Sequence, residues 1–252
     1  MLKLSGVIIT FNEERNIERC LQSLVNVVDE IVVVDSYSTD NTKRICQKFS
    51  VKFIEQKFLG YTEQKNFALE QTTHKHIVSL DGDEALSNEL QKSIIKLKNN
   101  WVFDGYYANR YNNFCGQWIK HSDWYPNKKL RVFDKSKAKW TGHKIHETIK
   151  LNNPNAEVGY LKGDILHYTY QSYEEMDKKT EYFSSIAAQA YYEENKKATL
   201  WKLIWNPLWA FFKSYILRLG FLDGKNGFRI CYQTWKITYL KYKKLRALKM
   251  NS

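Results

Sequence analysis

Ile77-Val78-Ser79-Leu80-Asp81-Gly82-Asp83-Glu84 is an apolar run that stops abruptly in three carboxylates. Residues 77–80 have the length and composition of a buried strand. Carboxylates packed this closely raise one another's pKa, and burying them unpaired is costly, so a positive partner is expected beside them. Oxygen ligands at the end of a strand suit Mg²⁺ or Mn²⁺, shared with the phosphates of a substrate. In isolation, Asp-Gly-Asp-Glu reads equally well as a polar turn capping the next helix, and the surrounding chain has to decide.

Upstream, the same texture recurs. Val7-Ile8-Ile9-Thr10 is short, apolar and β-branched, Ile31-Val32-Val33-Val34 ends in Asp35, and Val51-Lys52-Phe53-Ile54 is a shorter third strand. Helical patterns separate them. Ile17, Leu21 and Leu24 follow Asn12, which can cap that helix with Glu13 and Glu14 in its first turn. Ile45 and Phe49 follow Asp40, and a third helix covers about 62–71. The order β-α-β-α-β-α-β predicts a parallel sheet covered by helices, and right-handed crossovers put every strand's carboxyl end on one edge. That edge gathers Thr10, Asn12 and Glu13, then Asp35, then Asp81, Asp83 and Glu84. Open α/β sheets bind ligands there. Neither Gly-x-Gly-x-x-Gly nor a Walker loop is present, so a nucleotide has to be held by a metal and side chains.

Ser87 is expected to cap a helix carrying Leu90, Ile94, Ile95 and Leu97. Beyond Asn100 aromatic residues become dense, and strands with long loops extend the first sheet. Lys128-Lys129-Leu130-Arg131-Val132-Phe133 alternates as a half-buried strand whose bases either pair with acids on a neighbouring strand or face phosphate. In Trp140-Thr141-Gly142-His143-Lys144-Ile145-His146-Glu147, a strand puts His143 and Glu147 on one face and His146 on the other. A His-Glu pair offers a metal ligand beside a carboxylate base, although such pairs are also common structural features. His167 is a further candidate ligand.

The chain of 252 residues is long enough for one large domain or two small ones. Its four scattered cysteines predict reduced thiols in a cytoplasmic protein, and Met1 leads directly into the first strand without a signal-peptide pattern. Net charge is +12, of which residues 199–252 carry +10: eleven Lys or Arg against Asp223 alone. The same segment holds twelve aromatic residues. Apolar positions from Trp201 to Leu219 recur at three- and four-residue steps with Lys202, Lys213 and Arg218 between them, and Pro207 is expected to kink the helix. Its longest uncharged run, 203–212, has ten residues, about half of what crosses a bilayer. Two readings compete: docking on an anionic membrane surface, or a helical pair packed on the body or on a second subunit. No nucleic-acid-binding module is recognisable, so nucleic acid is not expected as a partner.

Val7-Ile8-Ile9-Thr10-Phe11-Asn12-Glu13-Glu14, the segment Val33-Val34-Asp35-Ser36-Tyr37-Ser38-Thr39-Asp40-Asn41-Thr42, Gln64-Lys65-Asn66-Phe67-Ala68 and Leu80-Asp81-Gly82-Asp83-Glu84, in this order and spacing, resemble a family 2 glycosyltransferase. Arg131-Val132-Phe133, His146-Glu147 and Leu222-Asp223-Gly224 resemble a narrower branch of lipopolysaccharide-core glucosyltransferase-like enzymes. The resemblance implies an α/β fold of the GT-A type, a Rossmann-like, mostly parallel sheet flanked by helices, here with a C-terminal amphipathic helical extension. It implies a nucleotide-sugar half over 1–98, an acceptor half over 99–170 and a membrane-associating extension over 171–252. The donor is a nucleotide-sugar, most often a UDP-sugar, and the cofactor is Mn²⁺ or Mg²⁺. Thr10, Asn12 and Glu13 would line the base and ribose pocket, which Asp35 also contacts. Lys65 would reach the phosphates, with Arg131 and His167 as secondary candidates for phosphate or acceptor contact. Asp83, with Asp81, would hold the metal, His146 would either join them or orient Glu147, and Glu147 would be the general base of an inverting displacement. The acceptor is expected to be a lipid-linked or lipopolysaccharide-type glycan, met by a peripheral enzyme on the inner face of a bacterial cytoplasmic membrane, with a homodimer as a possible assembly. The alternatives are a sugar nucleotidyltransferase and a non-enzymatic membrane-binding protein. The first usually carries a Gly-rich basic loop where this chain has Asn12-Glu13-Glu14-Arg15-Asn16.

Overall fold

The computed structural model describes residues 1–142 and 147–250. The chain forms two compact units: Met1–Arg110 with Asn127–Tyr168, and Tyr111–Pro126 with Thr169–Ser252. The first half alternates as expected: β1 (Leu4–Thr10), α1 (Ile17–Leu24), β2 (Glu30–Asp35), α2 (Thr42–Cys46), β3 (Lys52–Glu55), α3 (Tyr61–Glu70), β4 (His76–Asp81), β5 (Glu84–Leu86) and α4 (Asn88–Leu97). Then come β6 (Gly105–Phe114), β7 (Gln117–Trp118), β8 (Lys128–Asp134), β9 (Ala138–Thr141), β10 (Thr148–Leu151) and β11 (Val158–Tyr170). Three helices close the chain: α5 (Tyr173–Glu193), α6 (Leu200–Phe212) and α7 (Gly224–Met250).

Strand order across the main sheet is β3-β2-β1-β4-β8-β6-β11-β5, with β7 pairing β6 to one side. The pairs β3-β2, β2-β1 and β1-β4 are parallel, whereas β8 runs antiparallel to both β4 and β6. Period-two alternation assigns side chains to the two faces. Ile8, Val33, Val78 and Leu80 pack with α1 and α4, and Val7, Val32, Val34 and Ile77 pack with α3 and with Trp140 of β9. Each fully buried Leu or Ile contributes about 1.5–3 kcal/mol. Ser87 caps α4, its hydroxyl accepting from Leu90 N at 3.3 Å. Asn12 does not cap α1. Asn16 occupies the N-cap position without a side-chain capping bond, while Asn12 adopts φ 54° and its Oδ1 accepts from Thr39 N at 2.8 Å.

In the second unit, α7 packs against α5 through Ala188, Tyr242 and Leu245. Part of the basic charge of 199–252 is spent here: Arg229 and Lys236 pair with Asp177, and Lys244 with Glu181. Helix α6 contains Pro207 and runs on into a π-turn (Lys213–Leu217), followed by a tight turn (Gly220–Asp223) that leads directly into α7. Buried Asp223 fixes this turn by accepting from the backbone of Lys120 (3.2 Å) and His121 (2.8 Å). Gly227 on the first turn of α7 lies so close to the Gly220 carbonyl that a Cβ would sit 1.9 Å from its oxygen. Gly227→Ala is therefore expected to lower stability by about 1–3 kcal/mol through overpacking against backbone that cannot yield. Thermal unfolding of the full chain measures this, and an unchanged melting temperature would show that the turn gives way freely.

No helix among the described residues is long and apolar enough to cross a membrane. The face that α6 turns outward is nevertheless its apolar one: Trp201, Ile204, Trp205, Leu208, Trp209 and Phe212 are all exposed.

Candidate active site

The parallel register sets the site. Thr10 at the end of β1 stands opposite Asp35 at the end of β2, and Ile9 stands opposite Asp81 at the end of β4. The Asp81-Gly82-Asp83 turn closes over Thr10 and Glu13. A Cβ on Gly82 would lie 3.1 Å from Thr10 Oγ1 and 3.0 Å from Glu13 Cγ, so the glycine permits this close approach. The loops after β1 and β2 are stitched together. Asn12 N donates to Ser38 Oγ (2.8 Å), Glu13 N to Thr42 Oγ1 (2.8 Å) and Glu14 N to Asp40 Oδ2 (3.0 Å). Asp35 is buried and accepts from Ser38 N at 2.7 Å, so its carboxylate shapes the second loop from within. Phe11 and Tyr37 stand out from the two loops, each more than half exposed.

Four of the expected site residues meet directly. Lys65 on α3, only 3 % exposed, places Nζ 2.8 Å from Asp81 Oδ1 and 3.0 Å from Glu147 Oε1. Arg131 on β8 donates through Nη2 to Asp81 Oδ2 (2.9 Å) and to Glu84 Oε1 (3.2 Å). Glu84 is wholly inside the protein, accepts from Asp81 N at 3.0 Å and has Arg110 Nη1 at 3.7 Å. The crowded acids are thus neutralised by three cations from three elements. Burial alone would raise the Asp81 carboxyl, but Lys65 and Arg131 outweigh it and hold the group well below the usual carboxylate range. Lys129, two residues before Arg131, is pushed down by burial and by the neighbouring Arg110 and Arg131.

The indole of Trp140 serves both cations, with Lys65 Nζ 4.3 Å and Arg131 Cζ 5.1 Å from its ring centre. Asn66 pins Trp140 by two 3.0 Å hydrogen bonds to its backbone N and O. Sequence reading missed this platform, because Trp140 lies 75 positions from Lys65 and only the fold joins them. Thr10 Oγ1, Arg131 Nε and Trp140 Nε1 are buried without hydrogen-bond partners among the described residues. Such groups cost about 1–3 kcal/mol each, and here they gather beside the carboxyl edge of the sheet.

Asp83 lies apart from this cluster. Its Oδ2 is 3.3 Å from His167 Nε2, and its carbonyl accepts from Tyr168 N at 3.0 Å. His143 and His146 lie outside the described residues. Among the described residues no three His, Cys, Asp or Glu side chains converge to hold an ion by themselves. The Asp83 carboxylate fits Mg²⁺ or Mn²⁺ that takes its remaining ligands from water and phosphate, and the His167 imidazole beside it would be a nitrogen ligand for Mn²⁺ more than for Mg²⁺. Asp81 has each oxygen engaged by one cation, so any metal it joined would share those oxygens with Lys65 or Arg131.

Residues 5–153 match the sequence model of glycosyl transferase family 2, more than half of the chain. The chain belongs to that family. An uncharacterized glycosyltransferase of Rickettsia felis is 34% identical over 242 residues, covering 90% of this chain and 84% of the relative. The lipopolysaccharide core biosynthesis glycosyltransferase LpsC of Rhizobium meliloti is 30% identical over 88% of this chain and 82% of its own length. The crystal structure of S. aureus TarS 1-349 in complex with UDP-GlcNAc shares the fold, with TM-score 0.50 and 15% identity over 100% of this chain and 93% of that one. This family 2 glycosyltransferase is therefore an enzyme of the GT-A type, similar to lipopolysaccharide-core enzymes, and the nucleotidyltransferase and non-enzymatic readings lose their ground.

Proposed function

We propose that the enzyme transfers a hexose from a nucleotide-sugar, with a UDP-sugar as the first candidate, to a lipid-linked or lipopolysaccharide-type glycan, with inversion at the anomeric carbon. The observation that carries this reading is the meeting of Lys65, Asp81, Arg131 and Glu147 at the carboxyl edge of the sheet. The similarity to LpsC supports the class of acceptor.

Thr10, Asn12, Glu13 and Asp35 form the rim for base and ribose, Asn12 and Asp35 by holding the loops that carry Phe11 and Tyr37. Lys65 and Arg131 bring the positive charge that a diphosphate needs, and Asp81 keeps the two cations in register. Asp83 and His167 would hold the divalent cation, with Asp81 and His146 as further candidates. When bound, that cation neutralises the departing nucleoside diphosphate. Glu147 takes the proton of the attacking hydroxyl, and Lys65 orients it. Residues 1–98 would serve the donor and 99–170 the acceptor. The helices of 171–252 would dock the enzyme on the inner face of the cytoplasmic membrane through the outward apolar face of α6 and its flanking bases.

UDP with Mn²⁺ is expected to stabilise the protein by about 2.7 kcal/mol at a hundredfold excess over Kd. Asp83→Asn is expected to abolish the metal-dependent part of this gain in a thermal-shift assay. If no nucleoside diphosphate with Mn²⁺ or Mg²⁺ shifts the melting temperature of the unaltered protein, the donor reading is wrong.

A further inference from the structure

The second unit contains a cavity of about 380 Å³ whose walls come from two segments far apart in sequence. One wall is the loop carrying Lys120, His121 and Asp123, and the other is Leu217, Arg218 and Leu219, where the π-turn ends. The cavity is built into the fold. Ser122 N donates to Arg218 O at 3.0 Å and ties the walls together. Asp223 holds Lys120 and His121 by their backbone and meets His121 Nδ1 at 3.1 Å. Ser122, Asp123 and Leu219 all have φ between 54° and 65°, a conformation costly for side-chain-bearing residues and kept only where the surroundings enforce it.

The charges at the mouth favour an anion. Lys120 is exposed, and its ammonium has no ion-pair partner among the described residues. Arg218 contacts Asp123 through Nε at 2.9 Å, and Lys213 stands 3.9 Å from the same carboxylate. Among the lining residues Lys120 and Arg218 thus stand against Asp123, with Lys213 outside the lining as a further cation, while Asp223 is taken up by His121. An arginine fork and a lysine together suit phosphate oxygens.

Position narrows the source. Leu217, Leu219, Phe221 and Leu222 are exposed around Arg218, and they continue the outward apolar face of α6. An exposed apolar surface this large marks an interaction site, and interleaved Trp, Lys and Arg match an anionic lipid interface. We infer that this cavity binds the unmasked phosphate headgroup of a lipid while the apolar ridge beside it enters the acyl boundary. The inference rests on the membrane-docking reading above and adds a specific site to it.

The test uses the full chain and vesicles of phosphatidylcholine containing either phosphatidic acid or oleate at matched surface charge. The unaltered protein is expected to prefer phosphatidic acid about tenfold. Lys120→Ala/Arg218→Ala should lose the preference. Lys225→Ala/Lys243→Ala, which removes two exposed charges elsewhere, should weaken binding to both vesicles and keep the ratio. Trp205→Ser/Trp209→Ser should weaken both strongly. A preference that survives Lys120→Ala/Arg218→Ala, or is absent from the unaltered protein, overturns the headgroup site. Equal competition by millimolar inorganic phosphate would also overturn it, in favour of a free-phosphate site. If the unaltered protein binds neither vesicle and self-associates instead, the docking reading falls with it. The UDP and Mn²⁺ thermal shift on the same preparation reports separately on the transferase reading.

Discussion

Glu147→Gln is expected to lower the rate of sugar transfer by about 10²–10⁴-fold, the range that a positioned general base supplies. The substitution keeps the shape of the side chain and removes its ability to take a proton. Glu147 Oε1 lies 3.0 Å from Lys65 Nζ, and Lys65 keeps a second, closer partner in Asp81 at 2.8 Å. Losing the charge of Glu147 therefore does not strand a buried ammonium, and the melting temperature should stay close to that of the unaltered protein. Stabilisation by UDP and Mn²⁺ should persist, because Glu147 is assigned to the acceptor's proton and not to the donor. The measurement is kcat with a saturating donor, alongside a UDP titration. Transfer within threefold of the unaltered enzyme would place the base elsewhere. Equal losses of UDP binding and of rate would instead make Glu147 a support for Lys65.

The geometry behind this expectation was only partly visible in the sequence. Strands β1, β2 and β4 were legible because each is short, rich in β-branched residues and buried along nearly its whole length, as a doubly covered strand must be, and the edge strand β3 through its Phe53-Ile54 centre. Their polar ends were legible for the same reason: once the strands are parallel, Thr10, Asp35 and Asp81 necessarily share an edge, and the register bears this out. That the bases of β8 can pair with acids on a neighbouring strand was legible as one of two readings; which acids, and that the base is Arg131, was not. Arg131 reaches them because β8 inserts beside β4 out of chain order, and no local pattern specifies that neighbour. Trp140 escaped notice similarly, since its place under Lys65 depends on Asn66 pinning β9 to α3. Asn12 was misread as a cap because Asn before a helical pattern is usually one; here the loop after β2 offers Thr39 N as a better donor. For α6 the sequence showed an amphipathic helix but not that its apolar face would point outward, because periodicity is silent about which side is covered.

The buried acids supply the largest expected effect on stability. Arg131→Met is expected to cost about 3–5 kcal/mol, because it removes one partner of a buried pair and leaves the other in place. Of its ion-pair partners among the described residues, Glu84 would lose the one at 3.2 Å and keep Arg110 at 3.7 Å, while Asp81 would keep Lys65. For a chain of this size the loss corresponds to a fall of about 6–20 °C in Tm. A methionine fills much of the same volume, so cavity formation contributes little. The double variant Glu84→Gln/Arg131→Met should recover a large part of the loss, since a neutral amide can still accept from Asp81 N without an unpaired charge. It should not recover transfer, because the cation facing the donor phosphates is still missing. Recovery of Tm without recovery of rate would separate the two duties of Arg131: neutralising the acids that shape the end of β4, and presenting charge to the diphosphate. An Arg131→Met protein that melts with the unaltered one would mean that Arg110 and Lys65 suffice to hold the acids, and that Arg131 is kept for the donor alone.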